Sequence, residues 1–141
     1  MEAREPVSAR CVEWAAISSR GELDQANSSA PANVCVVLIF SHAGCPRCPA
    51  AKAELRSTVA ELAEKGAGVE VLTVNTFDSD TEELTELLGV TQVPFVIVFN
   101  RGAEVLRGIG KHDVIMDVKK AVESLHESFT SAPVLTLDAD F

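Results

Sequence analysis

Apolar residues along the chain fall into short blocks of two different periods, and the blocks alternate. Val34, Cys35, Val36, Val37, Leu38, Ile39 and Phe40 form an unbroken run rich in β-branched side chains. Such a run predicts a central strand buried on both faces rather than one with a wet side. Beyond it, Leu55, Val59 and Leu62 recur at helical spacing from a start near Pro49, and Gly66 ends the pattern. Val69 to Asn75 reads as another strand, and residues 80–88 as an acidic helix with Leu84, Leu87 and Leu88 on one face and Gly89 as its stop. Phe95 to Phe99 is a further apolar strand; Asn100, Arg101 and Gly102 supply turn chemistry, so that 104–107 pairs back as a hairpin. The last helix is expected from Asp113 as its cap, with Val114, Val118, Ala121 and Leu125 on one stripe. Near the start, Cys11 to Trp14 is a candidate strand and Ser18 to Asn27 a short helix begun by a Ser cap, weakened by Gly21.

Strand and helix therefore alternate through the middle of the chain, which implies a parallel arrangement closed by a hairpin. Residues 1–9 read as a polar lead-in, 10–127 as one domain, and 128–141 as a flexible tail, with an extended strand on a sheet edge or a recognition signal as its alternatives. At 141 residues the chain can bury about two thirds of the surface its unfolded form exposes. Its 12 Lys and Arg against 21 Asp and Glu, net charge -9, repel a phosphate backbone or an anionic membrane. Neither nucleic acid nor membrane is expected as a partner. Met1 to Pro6 lacks the apolar core of a signal peptide and no apolar run approaches a bilayer span, so the expected location is cytoplasmic.

Four cysteines carry the candidate chemistry. Cys35 lies inside the apolar run, where a free thiol behaves as a small hydrophobe. Cys11 has no neighbour in sequence that marks it as reactive, and its role is left open. Cys45-Pro46-Arg47-Cys48 sits at the seam between the central strand and the helix after it. Unpaired N–H groups and the helix dipole at such a seam favour thiolate over thiol. The Arg47 charge and His42, as a cation or a base, add to that effect at Cys45. A solvated Arg47 and a merely structural Pro46, welcome in any first helical turn, are the plainer readings. A zinc site needs two further ligands, and Cys11 and Cys35 do not form a second C-x-x-C. An iron–sulfur site bridged between subunits draws on a motif with one active-site cysteine. Two metal-free thiols without a cofactor are the expectation. His112 and His126 read as surface residues near the ends of the last helix, and Trp14 as a core or rim aromatic.

The element order, the C-x-x-C after the apolar strand, Gln92-Val93-Pro94 heading the next apolar strand, Gly102 in the hairpin and Gly110 before the last helix together resemble the thioredoxin superfamily, over about Val12 to Glu127. The amino-terminal strand and helix resemble thioredoxin, and the Cys-Pro-x-Cys wording resembles glutaredoxin. The resemblance implies an α/β thioredoxin-like fold, a central mixed sheet flanked by helices. It implies Cys45 as exposed nucleophile, Cys48 as resolving thiol, a cis Pro94 facing them, and Val93 as a backbone contact for extended substrate. Protein disulfides are then the substrates, reduced through a two-cysteine cycle with a reductase or low-molecular-weight thiol as electron donor. Glutathione-dependent reduction and an interaction module with vestigial cysteines are the alternatives. Gly44 stands where thioredoxins have Trp, Ser41 replaces another aromatic, Ile39 falls at their buried Asp, and Thr73 falls near its Lys partner. Those departures bear on proton transfer from the second thiol and on reductase and client contacts.

Overall fold

The long apolar run becomes the middle strand of a mixed sheet in the structure, a computed structural model that describes residues 14–139. Among these, the strands are β1 (Ala15–Ala16), β2 (Val34–Ser41), β3 (Gly68–Asn75), β4 (Phe95–Asn100) and β5 (Ala103–Ile109), in the order β1-β3-β2-β4-β5. The helices are α1 (Arg20–Ser29), α2 (Cys48–Glu64), α3 (Glu82–Leu87) and α4 (His112–Ala139). β3 runs parallel to both β1 and β2, whereas β4 is antiparallel to β2 and to β5. This is the expected α/β architecture.

Period-2 alternation divides β2 between two cores. Cys35, Val37 and Ile39 pack with Leu55 and Leu62 of α2 and with Ile115, Val118 and Val122 of α4. Val36, Leu38 and Phe40 face the other way, toward Leu23 of α1 and Leu84 of α3. Both faces of the strand are covered by helices, which is why the run carries no polar interruption. The hairpin turns at Arg101 (φ 57°) and Gly102 (φ 80°), two successive left-handed residues that only a tight β-turn of this kind demands.

Several elements differ from their sequence expectations. Cys11 and most of the candidate strand Cys11 to Trp14 lie outside the described residues; the edge strand is Ala15–Ala16. α1 begins two residues later than expected because Ser19 caps it, in a reciprocal capping box with Glu22. Leu84 is buried and Leu88 partly buried, but Leu87 is 54 % exposed, so the apolar face of α3 is narrower than expected. α4 starts at His112, so Asp113 lies in its first turn and not at the cap, and its buried stripe is Ile115, Val118 and Val122. The helical backbone runs on through 128–139, where a flexible tail was expected. No glycine follows Gly110, so the terminator that closes α2 and α3 is missing here.

Candidate active site

β2 ends at Ser41 and α2 begins at Cys48, so the chain must leave the sheet and enter a helix over residues 42–47. Two tight turns accomplish this: the Cys45 N–H donates to the His42 carbonyl at 3.2 Å, and the Cys48 N–H to the Cys45 carbonyl at 3.4 Å. Arg47 occupies the N-cap of α2 without a side-chain cap bond, and Pro49 sits in the first turn. Proline loses nothing there, since a first-turn N–H has no helical partner to lose. The uncapped N-terminal end favours negative charge on the cysteine turn. Pro46 and Arg47 themselves stand exposed on its outside.

Cys45 and Cys48 are joined as a disulfide with their Cα atoms 5.4 Å apart. Cys45 is 6 % exposed and Cys48 3 %, which corrects the expectation of a freely exposed nucleophile. The cause is the bond between them and the turn folded over it; both cysteines instead border a cavity of about 420 Å³. Its wall is mixed: Ser41, His42, Lys52, Thr73 and Asn75 contribute polar groups beside Ala43, Pro49 and the two cysteines. Lys52 lies one helical turn after Cys48 and so shares its face of α2. Ile39 and Thr73 are direct partners across β2 and β3, with Ile39 fully buried. No carboxylate lines this cavity; its fixed charge is the Lys52 ammonium.

His42 joins this cavity to a second, of about 290 Å³, that includes Phe77, Val90, Gln92 and Val93. The His42 ring stacks on Phe77, centroids 3.8 Å apart and planes 10° from parallel. Its Nδ1 is buried with no hydrogen-bond partner among the described residues, so the stack, and not a hydrogen bond at that atom, holds the ring. The Val93–Pro94 bond is cis, as the resemblance implies. The Pro94 carbonyl accepts the Gly110 N–H at 2.7 Å, and a Cβ at position 110 would stand 3.1 Å from the Pro94 Cβ. That close approach explains the glycine. Cys45, Cys48 and His42 are thus together, with Val93 reached through His42 in the adjoining cavity.

The other candidates fall elsewhere. Cys35 is 2 % exposed, and burial pushes its thiol pKa up, which suits an inert core residue. His112 pairs with Glu54 on the surface, and the Arg56 guanidinium lies 4.8 Å over the Trp14 ring. No cluster of three or more His, Cys, Asp or Glu able to hold a metal occurs among the described residues, and no described helix is long and apolar enough to cross a membrane. Two residues of the site escaped the sequence reading. Lys52 had a signal in its four-residue spacing from Cys48, whereas Phe77 reaches the site only through the loop after β3.

A glutaredoxin family model matches residues 37–102, from the middle of β2 to the hairpin. Among solved structures, the long form of thioredoxin f from spinach chloroplast is similar at 19 % identity and TM-score 0.64, over 82 % of this chain and 90 % of that one. A mutant thioredoxin from Halobacterium salinarum is similar at 25 % identity and TM-score 0.61, over 81 % and 91 %. Fasciola hepatica thioredoxin gives 18 % identity and TM-score 0.64, over 76 % and 97 %. No curated protein matches the chain significantly. The fold is thioredoxin-like, and the glutaredoxin match together with the Cys45–Cys48 pair supports a thiol–disulfide oxidoreductase-like function in general.

Proposed function

We propose that the protein reduces protein disulfides through a two-cysteine cycle in a reducing, cytoplasmic setting. The observation that carries this reading is the bond between Cys45 and Cys48 at the head of α2, beside a cavity that His42 and Lys52 also line. In the reduced protein the Cys45 thiolate attacks one sulfur of a client disulfide, forming a mixed disulfide and releasing the other client sulfur as thiolate. The Cys48 thiolate then attacks the Cys45 sulfur, which releases the second client thiolate and leaves the Cys45–Cys48 disulfide. A reductase or a low-molecular-weight thiol returns two electrons to that bond, and the client thiolates take up protons from solvent.

The local charges support the thiolate step. The uncapped end of α2 and the exposed Arg47 stabilise negative charge at Cys45. With Ile39 and Thr73 in place of an acid and its partner, the Lys52 ammonium supplies charge stabilisation to the cavity side of Cys48. Val93, ahead of the cis bond, serves as the backbone contact for an extended client. Glutathione-dependent turnover is the second reading, favoured by the glutaredoxin family match.

Insulin-disulfide reduction coupled to a dithiol tests the cycle. The wild type is expected to turn over, and Cys48→Ser to stall while retaining a client covalently on Cys45. Turnover undiminished in Cys48→Ser would sink the two-thiol scheme. A rate with glutathione above that with a thioredoxin reductase system would move the donor assignment to the second reading.

A further inference from the structure

A cavity of about 240 Å³ lies at the start of β2, at the far end of that strand from the cysteine pair. Its floor is apolar: Cys35, Ala67 and Val122 are buried there, with Leu125 half-buried beside them. Its rim is polar and carries Arg101 from the hairpin turn and His126 from α4. No carboxylate lines it, although the chain has 21 Asp and Glu against 12 Lys and Arg. Neither the Arg101 guanidinium nor the His126 ring has a hydrogen-bond or ion-pair partner among the described residues.

The walls are fixed by contacts that leave those two side chains unused. The Asn100 side-chain amide donates to the Ala32 carbonyl at 3.1 Å, which ties the hairpin to the segment before β2. On the α4 side the His126 ring lies against Gly66, where a Cβ would stand 3.9 Å from its Cε1. Arg101 itself has φ 57°, in the left-handed region where Asn, Asp or Gly serve a tight hairpin better. The turn alone therefore does not explain a long cation at this position. Asp24 borders a separate cavity that Arg101 also lines, but this acid is paired with Arg20 at 3.1 Å.

An apolar floor under two convergent polar groups suits a ligand with a hydrocarbon body and one anionic end. The guanidinium offers a planar fork that fits a carboxylate, and an imidazole N–H adds a further donor. The volume equals that of about eight water molecules in the liquid, which limits the ligand to a compact aromatic or short acyl body. We infer that this cavity binds a small carboxylic acid as its anion, with the carboxylate on Arg101 and His126 and the apolar body on Cys35, Ala67 and Val122. Inorganic phosphate has no hydrocarbon to place on that floor, and one guanidinium with an imidazole undersupplies a dianion. The cysteine pair takes no part, so the site stands or falls apart from the reductase reading.

Titration of the full-length oxidised protein with benzoate, followed by amide-resolved NMR, tests the site. Benzamide serves as a neutral body of the same shape, and inorganic phosphate as an anion without an apolar body. Benzoate is expected to move the amide signals of Cys35, Ala67 and Val122 and to bind about tenfold more tightly than either control. Arg101→Gly removes the cation and gives the turn a residue at ease with positive φ; benzoate affinity is expected to fall about tenfold while the thermal midpoint shows the protein still folded. Arg101→Lys keeps the charge without the fork and is expected to fall between the two. His126→Ala is expected to cost less, about threefold. Equal binding of benzoate and benzamide overturns the site, as do phosphate binding as tight as benzoate, benzoate shifts confined to other residues, or an affinity unchanged in Arg101→Gly.

Discussion

The two ends of β2 each carry a cysteine beside a cavity, and they could hardly be more different. At the strand's start Cys35 pairs across the sheet with Val69 and Asn100 and packs into the α2 and α4 core. A cavity of about 240 Å³ lies there, with Arg101 and His126 among its lining residues. A thiol, a cation and an imidazole are thus all present, yet the thiol is buried, raised in pKa and without a second cysteine among the described residues in reach. Past the strand's end, Cys45 sits in a turn whose geometry brings Cys48 within bonding distance, at the uncapped start of a helix. Residue type is the same at both ends. What differs is a partner sulfur and a helix terminus, and these favour chemistry at the second thiol.

The contrast is broken most severely at the reactive end. Cys45→Ser is expected to reduce dithiol-coupled disulfide reduction to the uncatalysed background, whereas Cys35→Ala retains turnover and lowers stability by about 1–2 kcal/mol in urea unfolding. Loss of turnover in Cys35→Ala, with folding intact, would erase the distinction between the two ends. A thiol label sharpens it further. In a Cys11→Ser background treated with dithiol and then quenched, iodoacetamide at neutral pH is expected to modify Cys45 first and Cys35 only after denaturant is added. Mass mapping that finds Cys35 alkylated at a similar rate in the native protein would contradict its burial.

The smallest effects concern pH. The hydrogen bonds from Lys119 to Glu61, from Arg107 to Glu104 and from Lys65 to Glu123 hold these carboxyls below their ordinary range. A lowered folded-state pKa contributes stability that is present above the unfolded value and is lost as pH falls through the folded one. Cys35 acts in the opposite sense: its thiol is raised by burial, so the stability it contributes is present below the ordinary thiol range and is lost as pH climbs through its folded value. Urea midpoints are therefore expected to fall slightly on the acid side and again on the alkaline side. Added salt should shrink the acid arm, because those pairs are exposed, and Cys35→Ala should flatten the alkaline arm. An alkaline arm that persists in Cys35→Ala would assign it to another group.

Much of the fold was legible because its signals are local. An unbroken β-branched run, a 3.6-residue recurrence and glycines at helix ends each report backbone state over a few residues, and β2, α2, β3, β4 and the hairpin followed from them. Where neighbours in space set the outcome, the reading slipped. Leu84 and not Leu87 is the side chain of α3 that reaches the core, the buried stripe of α4 is set by the sheet it lies on, and that helix runs past Leu125 with no glycine to stop it.

The site divides in the same way. Sequence alone determined the cysteine pair, its place between a buried strand and a helix, and the inert position of Cys35, since spacing and strand context are one-dimensional properties. Only the tertiary structure decided that Cys45 is nearly covered in the disulfide form, that Lys52 is the fixed charge beside the pair, and that Phe77 leans on His42 above Gly44. Those contacts join the loop after β2 to the loop after β3, more than thirty residues apart, and sheet pairing brings them together.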